Sequence, residues 1–191
     1  MPEVLNGDPK RVAILISGRG SNMAALIDRA SGYEVVLVAS NRPQAQGLDT
    51  ARAAGIPTWT SDSKAVSREE FDTALSRALH DHRVGTIALA GFMRLLSTRF
   101  VEQWRGHIVN IHPSLLPKYP GLDAHARAIA AGDTVSGCSV HIVTEQVDAG
   151  QVLAQVEVAI EPGDDIAALS QRILAAEHAL YPKALAEFVK R

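Results

Sequence analysis

Asn110 and His112 are the two residues whose types and spacing most clearly suggest chemistry. They lie two apart in the short run IVNIH, which Pro113 follows. In an extended segment, side chains two residues apart lie on the same side, and a proline favours an extended conformation for the residue before it. Both an amide and a protonated imidazole can donate hydrogen bonds to a developing negative charge. Taken singly, a hydrogen-bonded core histidine and a turn-capping asparagine explain them equally well.

A glycine-rich turn, Gly18-Arg19-Gly20-Ser21-Asn22, lies between an apolar run and a helical pattern. Glycine permits a close backbone approach, and a helix N-terminus with Ser21 and Asn22 favours an anion such as a phosphate. The dinucleotide fingerprint requires a third small residue, but Met23 follows here. The pattern therefore predicts either a phosphate site or an ordinary capped turn without a ligand.

Other reactive residues give weaker signals. Asp148 lies in the polar turn Gln146–Gly150, where an aspartate most often folds back on its own backbone. Its spacing does not establish whether it lies beside His112. Cys138 is interpreted as a small buried residue, and the seven histidines lack metal-binding spacings such as HExxH. We therefore expect no metal site.

Positioning these residues requires a fold with alternating strands and helices. Unbroken apolar runs separated by helical patterns predict parallel strands covered on both faces, and polar residues at the end of such a strand are where an open sheet binds ligands. The fold class is thus α/β: a doubly wound, mostly parallel open sheet, Rossmann-like, with flanking helices and a C-terminal antiparallel hairpin. The predicted strands cover residues 12–17, 35–40, 57–60, 86–90 and 108–111, and the hairpin covers residues 139–144 and 152–160.

The helices and the domain boundaries follow from the same patterns. We expect a final helix that Asp164 or Asp165 caps, with Ile166, Leu169, Ile173 and Leu174 on its apolar face and Pro182 kinking or interrupting it. A single domain should span residues 1–191, with residues 1–10 as a loose N-terminal extension. The other predicted helices cover residues 21–30, 48–54, 67–82 and 124–131.

The bulk composition excludes several classes of protein. Nineteen basic and 21 acidic residues give a net charge of −2, and no block of like charge marks a nucleic-acid partner. A single cysteine fits a reducing compartment, and neither a signal peptide nor an 18-residue apolar stretch is present. We therefore expect a cytoplasmic protein without a nucleic-acid or membrane partner.

Several stretches together resemble the glycinamide ribonucleotide formyltransferase family. The longest, VNIHPSLLPKYPGLDAH, differs from the related formyltransferases of tRNA and nucleotide sugars, because Pro113 directly follows His112. The resemblance extends over residues 12–182. It implies formyl transfer from 10-formyltetrahydrofolate to the amine of glycinamide ribonucleotide in purine biosynthesis, with no metal and no ATP. A homodimer is left open. The other matching stretches are ISGRGSN, SNRPQAQGLDTARAAGI, LAGFMRLLS, SVHIVTEQVDAGQVLAQ and AEHALYP.

The resemblance also implies a role for each matching residue. It makes Asn110, His112 and Asp148 the catalytic trio, and it places His141 close to them. The predicted substrate-binding residues are Gly20, Ser21 and Asn22 for the phosphate and Glu177 for the ribose. The predicted folate-binding residues are Arg68, Met93, Arg94, Leu95 and Leu96, with Asn110 beside the pteridine.

Departures from the family pattern and competing activities remain. Ala149-Gly150-Gln151 replaces a frequent Gly-Gly-Pro, and Asp123 stands where some members have histidine, so no role is assigned to it.

A 10-formyltetrahydrofolate hydrolase should carry an additional N-terminal domain, and a tRNA formyltransferase should carry a C-terminal RNA-binding domain. A non-catalytic nucleotide-binding module would use only the glycine-rich turn and would leave Asn110, His112 and Asp148 unexplained.

Overall fold

A seven-stranded sheet forms the centre of the molecule. The computed structural model describes residues 7–62 and 64–191. The strands are β1 Asp8–Ile16, β2 Glu34–Ser40, β3 Thr58–Thr60, β4 Val84–Leu89, β5 Ile108–His112, β6 Val135–Ile142 and β7 Val152–Ala159. Their order is β3-β2-β1-β4-β5-β6-β7. Strands β1 to β5 are parallel to one another, and β6 pairs antiparallel with both β5 and β7. The predicted doubly wound sheet with a C-terminal hairpin is confirmed.

Helices cover both faces of this sheet. Successive residues of β1 alternate between two cores: Ile14 and Ile16 belong to one cluster, and Ala13 and Leu15 belong to the other. Packing on both faces explains why β1 is an unbroken apolar run. The helices are α1 Ser21–Asp28, α2 Gly47–Ala53, α3 Arg68–Asp81, α4 Thr98–Gln103, α5 Ala124–Ala130 and α6 Ile166–Phe188.

The predicted caps of α3 and α6 are present in the structure, whereas helix α4 was not predicted from the sequence. Ser67 and Glu70 form the predicted capping box at α3, and the Asp165 side chain accepts from Ala168 N at the start of α6. The short α4, with buried Phe100 and Val101, begins after Ser97, whose side chain accepts from Phe100 N. Six residues are too few for a helical period to be read from the sequence.

The N-terminal boundary differs from the expected loose extension. β1 begins at Asp8 rather than Val12, so residues 8–10 belong to the sheet. A Cβ on Gly7 would lie 2.1 Å from the Val84 carbonyl oxygen, which shows how closely the chains approach. Residues 1–6 of the predicted extension lie outside the described residues.

Of the two outcomes predicted for Pro182, a kink or an interruption, the interruption does not occur, since α6 continues through Pro182 to Phe188. Proline has no N–H, so it leaves the carbonyl four residues earlier, that of His178, without its helical donor. Arg29 Nη1 donates to that oxygen at 2.9 Å. The guanidinium therefore satisfies the group that the proline leaves free. The predicted apolar face also differs at its start, because Ile166 is 53% exposed.

None of the helices within the described residues is long and apolar enough to cross a membrane.

Replacing Gly137 by alanine tests how closely the last strands pack. An added Cβ would lie 2.1 Å from the Val156 carbonyl oxygen and 2.7 Å from Leu115 Cδ2. Gly137→Ala should lower the free energy of unfolding by about 1–3 kcal/mol, the usual cost of overpacking. Gly18→Ala is the matched control, because outside its chain neighbours no described residue has an atom within 4 Å of the added Cβ. Urea unfolding would measure both, and equal stabilities would contradict this packing.

Candidate active site

A cavity of about 630 Å³ opens where the strand order reverses between β1 and β4. In open α/β sheets, ligands bind at the carboxyl ends of the strands at this reversal point. Asn110 and His112 from β5 line the cavity, and Asn22, at the start of the helix after β1, lines it together with Glu177 from α6. Asp148, from the turn between β6 and β7, also lines it. The structure thus brings together residues that are far apart in the sequence.

Asn110 lies opposite His141 in the antiparallel pairing of β5 and β6. Asn110 Nδ2 is 3.2 Å from His141 Nε2, and His141 Nδ1 is 3.0 Å from the Ile142 carbonyl oxygen. The proximity of His141 that the resemblance implied is therefore observed. Its physical basis is the register of the antiparallel pair, which the sequence alone does not display.

Asp148 lies between two imidazoles. Its Oδ2 is 3.2 Å from His112 Nδ1, and its Oδ1 is 3.3 Å from His141 Nε2. The Gly121 N–H donates to Oδ2 at 2.8 Å. The carboxylate therefore bridges distant segments, in addition to being part of a turn. Asp148 also has a φ of 52°, a left-handed conformation that is unusual for aspartate and is often found at functional sites.

Both ring nitrogens of His112 face acceptors. Nδ1 faces Asp148, and Nε2 lies 2.9 Å from the Tyr119 carbonyl oxygen. A neutral imidazole has a single N–H, so only the cationic ring donates to both oxygens. The side chain is 7% exposed, so neighbouring groups restrict its position. In the ligand-free protein, both ring nitrogens of His112 are thus already close to protein oxygens.

The charge of Asp148 is stabilised by its neighbours. Burial alone raises the pKa of this carboxyl group, but the hydrogen bond from His141, the Gly121 N–H and the charges of both imidazoles together hold the pKa below its usual value. His125, also on the cavity wall, has a pKa lowered by burial and by the nearby His112. The neighbours of Asp148 therefore favour its ionised form, whereas those of His125 favour its neutral form.

The glycine-rich turn has the predicted geometry, with one change in the expected roles. Gly20 has a φ of 75° and begins α1, and its carbonyl accepts from Ala24 N. Ser21 is exposed at the first position of that helix. The Asn22 side chain, however, donates from Nδ2 to Glu177 Oε2 at 2.7 Å. Asn22 therefore positions a carboxyl group in addition to any contact with an anion.

Glu177 is a buried carboxyl group on the cavity wall, with 6% exposure. Burial raises its pKa, and the hydrogen bond from Asn22 partly offsets that effect. Burying an acid costs free energy unless it is paired, and acids with a raised pKa are often found at functional sites. Its position next to the α1 N-terminus fits the predicted contact with a ligand hydroxyl.

Part of the cavity lining is apolar. Seven large apolar side chains are exposed among the described residues, and five of these line this cavity. An apolar surface of this kind typically marks a ligand site. Of the five, the sequence predicted Met93 and Leu95, and Leu96 also lines the cavity. The other three, which the sequence analysis missed, are Leu122, Val147 and Ile166.

The remaining predicted folate contacts divide into two groups. Arg94 lines the cavity, and its guanidinium lies 5.0 Å from the centre of the Phe71 ring. Arg68 does not line the cavity and lies exposed at the first position of α3. Met93 N donates to Ser17 Oγ at 2.8 Å, which ties the apolar segment to the end of β1.

Among the described residues, no group of three or more His, Cys, Asp or Glu could hold a metal ion.

A doubly wound sheet with buried titratable groups and an apolar cavity at its reversal point defines an α/β enzyme with a small-molecule active site. A sequence profile of the formyl transferase family matches residues 10–185. The chain belongs to this family.

Named relatives agree with this assignment. The chain is 42% identical over 182 residues to the phosphoribosylglycinamide formyltransferase of Escherichia coli strain K12, covering 93% of this chain and 86% of that one. It is 52% identical to the trifunctional purine biosynthetic protein adenosine-3 of Drosophila pseudoobscura pseudoobscura, covering 96% of this chain but only 14% of that protein. The crystal structure of a phosphoribosylglycinamide formyltransferase from Brucella melitensis is 48% identical, with a TM-score of 0.90, covering 95% of this chain and 96% of the other.

Replacing Asp148 by asparagine tests the electrostatics of the trio. The lowered pKa means that the carboxylate stabilises the fold above its unfolded pKa of about 3.9, and that this contribution is lost as the pH falls through the folded value. Asp148→Asn should therefore be less stable than the wild type at pH 7, and the difference should shrink on acidification. Urea unfolding across this pH range measures it, with the exposed Asp81→Asn as control. A difference that is independent of pH would contradict the assignment.

Proposed function

We propose that this protein transfers a formyl group from 10-formyltetrahydrofolate to the amine of glycinamide ribonucleotide, a step of de novo purine biosynthesis. The observation that carries the proposal is the meeting of Asn110, His112 and Asp148 on one cavity wall, between an anion-type helix N-terminus and an apolar surface. The names of the family members above support the choice of substrates. The proposed partners are two small molecules in the cytoplasm, and no nucleic acid or membrane is required.

The folate fits the apolar part of the cavity. A flat heterocycle requires an apolar slot with polar groups at its edge. The exposed Met93 and Leu95 side chains offer such a surface, with Val147 and Ile166 on the same cavity wall. Asn110 is the polar residue of β5 beside it. When bound, the formyl folate supplies the carbon that the amine attacks.

The ribonucleotide fits the other part. Its phosphate would lie at Gly20, Ser21 and Asn22, where backbone N–H groups and the helix dipole favour an anion. Glu177 would accept a hydrogen bond from a ribose hydroxyl, because its carboxyl group is buried there and already oriented by Asn22. Holding both substrates on one wall provides much of the acceleration.

Asn110 and His112 would stabilise the negative charge that develops on the formyl oxygen. Asn110 can donate from Nδ2. His112 can donate from Nε2, which in the free protein donates to the Tyr119 carbonyl. A developing oxyanion is a stronger acceptor than a neutral carbonyl, so the hydrogen bond would transfer to it in the transition state. This interaction favours the transition state over the ground state, as catalysis requires.

Asp148 would keep the ring of His112 oriented and cationic. Its carboxylate lies 3.2 Å from Nδ1, and its lowered pKa keeps it ionised at neutral pH. A carboxylate at this place can also relay the proton that the attacking amine loses to N10 of the folate, through a water molecule, as the bond between N10 and the formyl carbon breaks. The chain thus provides a donor for the developing charge and an acceptor for the proton.

The activity itself is the first test. Purified protein with 10-formyltetrahydrofolate and glycinamide ribonucleotide should produce the formylated ribonucleotide, measured by chromatography and by the absorbance change of the folate. Omitting the ribonucleotide should abolish consumption of the folate. Formyl release at the same rate with and without the amine would instead identify a hydrolase.

Substitutions in the trio test the mechanism. Asn110→Ala removes one donor to the oxyanion and should lower kcat by about 10²–10³, which corresponds to roughly 3–4 kcal/mol. His112→Ala should cost at least as much, because it removes a charged donor. Steady-state kinetics at saturating concentrations of both substrates provide the measurement. Retention of more than about a tenth of the wild-type kcat in His112→Ala would contradict the proposed role of this ring.

A further inference from the structure

The backbone of the proline-rich loop completes two contacts of the catalytic trio. The Tyr119 carbonyl accepts from His112 Nε2, and the Gly121 N–H donates to Asp148 Oδ2. These two groups lie two residues apart on the same loop. A displacement of the loop at Tyr119 would therefore disturb both His112 and Asp148.

The Tyr119 side chain is anchored away from the cavity. Its hydroxyl group donates to Asp133 Oδ2 at 2.9 Å, and Lys118 Nζ is 3.0 Å from the same oxygen. The guanidinium of Arg127 lies 5.3 Å from the centre of the Tyr119 ring. Asp133 comes from the turn between α5 and β6. Neither Tyr119 nor Asp133 lines the cavity, so neither is placed to touch a substrate.

The backbone at Tyr119 requires such an anchor. Its φ is 53°, in the left-handed region that bulky residues rarely adopt. Conformations of this kind persist only where surrounding contacts fix them. Ser114 Oγ donates to the preceding Lys118 carbonyl at 2.6 Å and lies 3.4 Å from the Tyr119 carbonyl, so it fixes the residue before Tyr119 more firmly than Tyr119 itself. The hydrogen bond to Asp133 is the close polar contact of the Tyr119 side chain.

We propose that Asp133 is a positioning residue for the transfer reaction: through the Tyr119 hydroxyl it holds the loop so that the Gly121 N–H meets Asp148 and the Tyr119 carbonyl orients the His112 ring before the developing oxyanion takes over the Nε2 hydrogen bond. The inference rests on the proposed function for its kinetic consequences. The contacts themselves are those of the ligand-free protein, so they can be tested separately.

A displaced loop has a predictable effect on pH dependence. The groups that face Asp148 are His112 from β5, His141 from β6 and the Gly121 N–H, and His125 lies near His112. The Gly121 N–H is one of the contacts that lower the pKa of Asp148. Without it, the pKa rises, and the carboxylate becomes protonated at a higher pH. The acidic limb of the kcat profile would then move upward.

Three variants and one control test the proposal. Tyr119→Phe removes only the hydroxyl group, and Asp133→Ala removes its acceptor. Both should lower kcat by roughly tenfold or more, within the range for a misplacement of about 1 Å, with KM near the wild-type value for both substrates. Asp133→Asn keeps an acceptor oxygen and should retain most of the activity that Asp133→Ala loses. Tyr33→Phe is the matched control, since it removes a hydroxyl bond to the Leu26 carbonyl away from the cavity.

Two further readouts separate positioning from stability and from the proposed function. In Tyr119→Phe the acidic limb of kcat should move to higher pH, whereas a loss of stability alone would lower Tm without moving it. In the ligand-free protein, NMR should show faster solvent exchange of the His112 Nε2 proton in Tyr119→Phe than in Tyr33→Phe. This exchange measurement remains valid even if the wild type formylates nothing, which would count against the proposed function only.

Several outcomes would overturn the proposal. Unchanged proton exchange in Tyr119→Phe would show that the hydroxyl group does not hold the carbonyl. A kcat that rises would show that the carbonyl competes with the substrate for His112. A loss in Asp133→Asn as large as in Asp133→Ala would show that the hydrogen bond is not what carries the effect.

Discussion

The ionised carboxyl group of Asp148, held between His112 and His141, is the interaction on which the rest of the site depends. Its lowered pKa requires donors close enough to outweigh the cost of burial, and these come from β5, β6 and the proline-rich loop. The loop directly follows β5 in the sequence, whereas β6 and the turn that carries Asp148 lie further along the chain. The parallel sheet brings β5 to the reversal point, and the antiparallel hairpin returns the chain so that the turn carrying Asp148 lies above it. The topology therefore serves to bring one negative charge to two imidazoles.

This arrangement uses a left-handed backbone conformation that few residues other than glycine adopt. Asp148 and Tyr119 both have a left-handed φ, at 52° and 53°. Each such residue costs on the order of 1–3 kcal/mol, which a stable scaffold offsets elsewhere. Here the contacts that offset the cost are also those that orient the site, because the Asp148 carboxylate binds the Gly121 N–H and the Tyr119 carbonyl binds His112. The same hydrogen bonds thus fix the left-handed backbone and orient the side chains of the candidate site.

Much of the fold could be predicted from the sequence, because its signals are local. The apolar runs of the buried strands, the capping box at Ser67 and Asp165 before the last helix are all visible within a few residues. Where the prediction was wrong, a distant contact decided the outcome. Pro182 lies inside α6, and Arg29, just after the end of α1, donates to the carbonyl that the proline leaves free. Residues 8–10 join the sheet because β4 offers a partner to which the local sequence gives no clue.

The candidate site shows the same difference between features set by local sequence and features set by distant contacts. Spacing alone predicted that Asn110 and His112 lie on the same side of a strand, because residues two apart on a strand share a side, and both line the cavity. It left Asp148 undecided, since an aspartate before a glycine has a local explanation and its distance from His112 depends on the whole sheet. The resemblance to a family supplied the link that spacing lacked. The apolar wall contributed by Leu122, Val147 and Ile166 was missed for a further reason: in the sequence an exposed apolar residue has the same appearance as a core residue. Only the fold shows that these side chains converge on one cavity, where exposure means that a ligand can cover them.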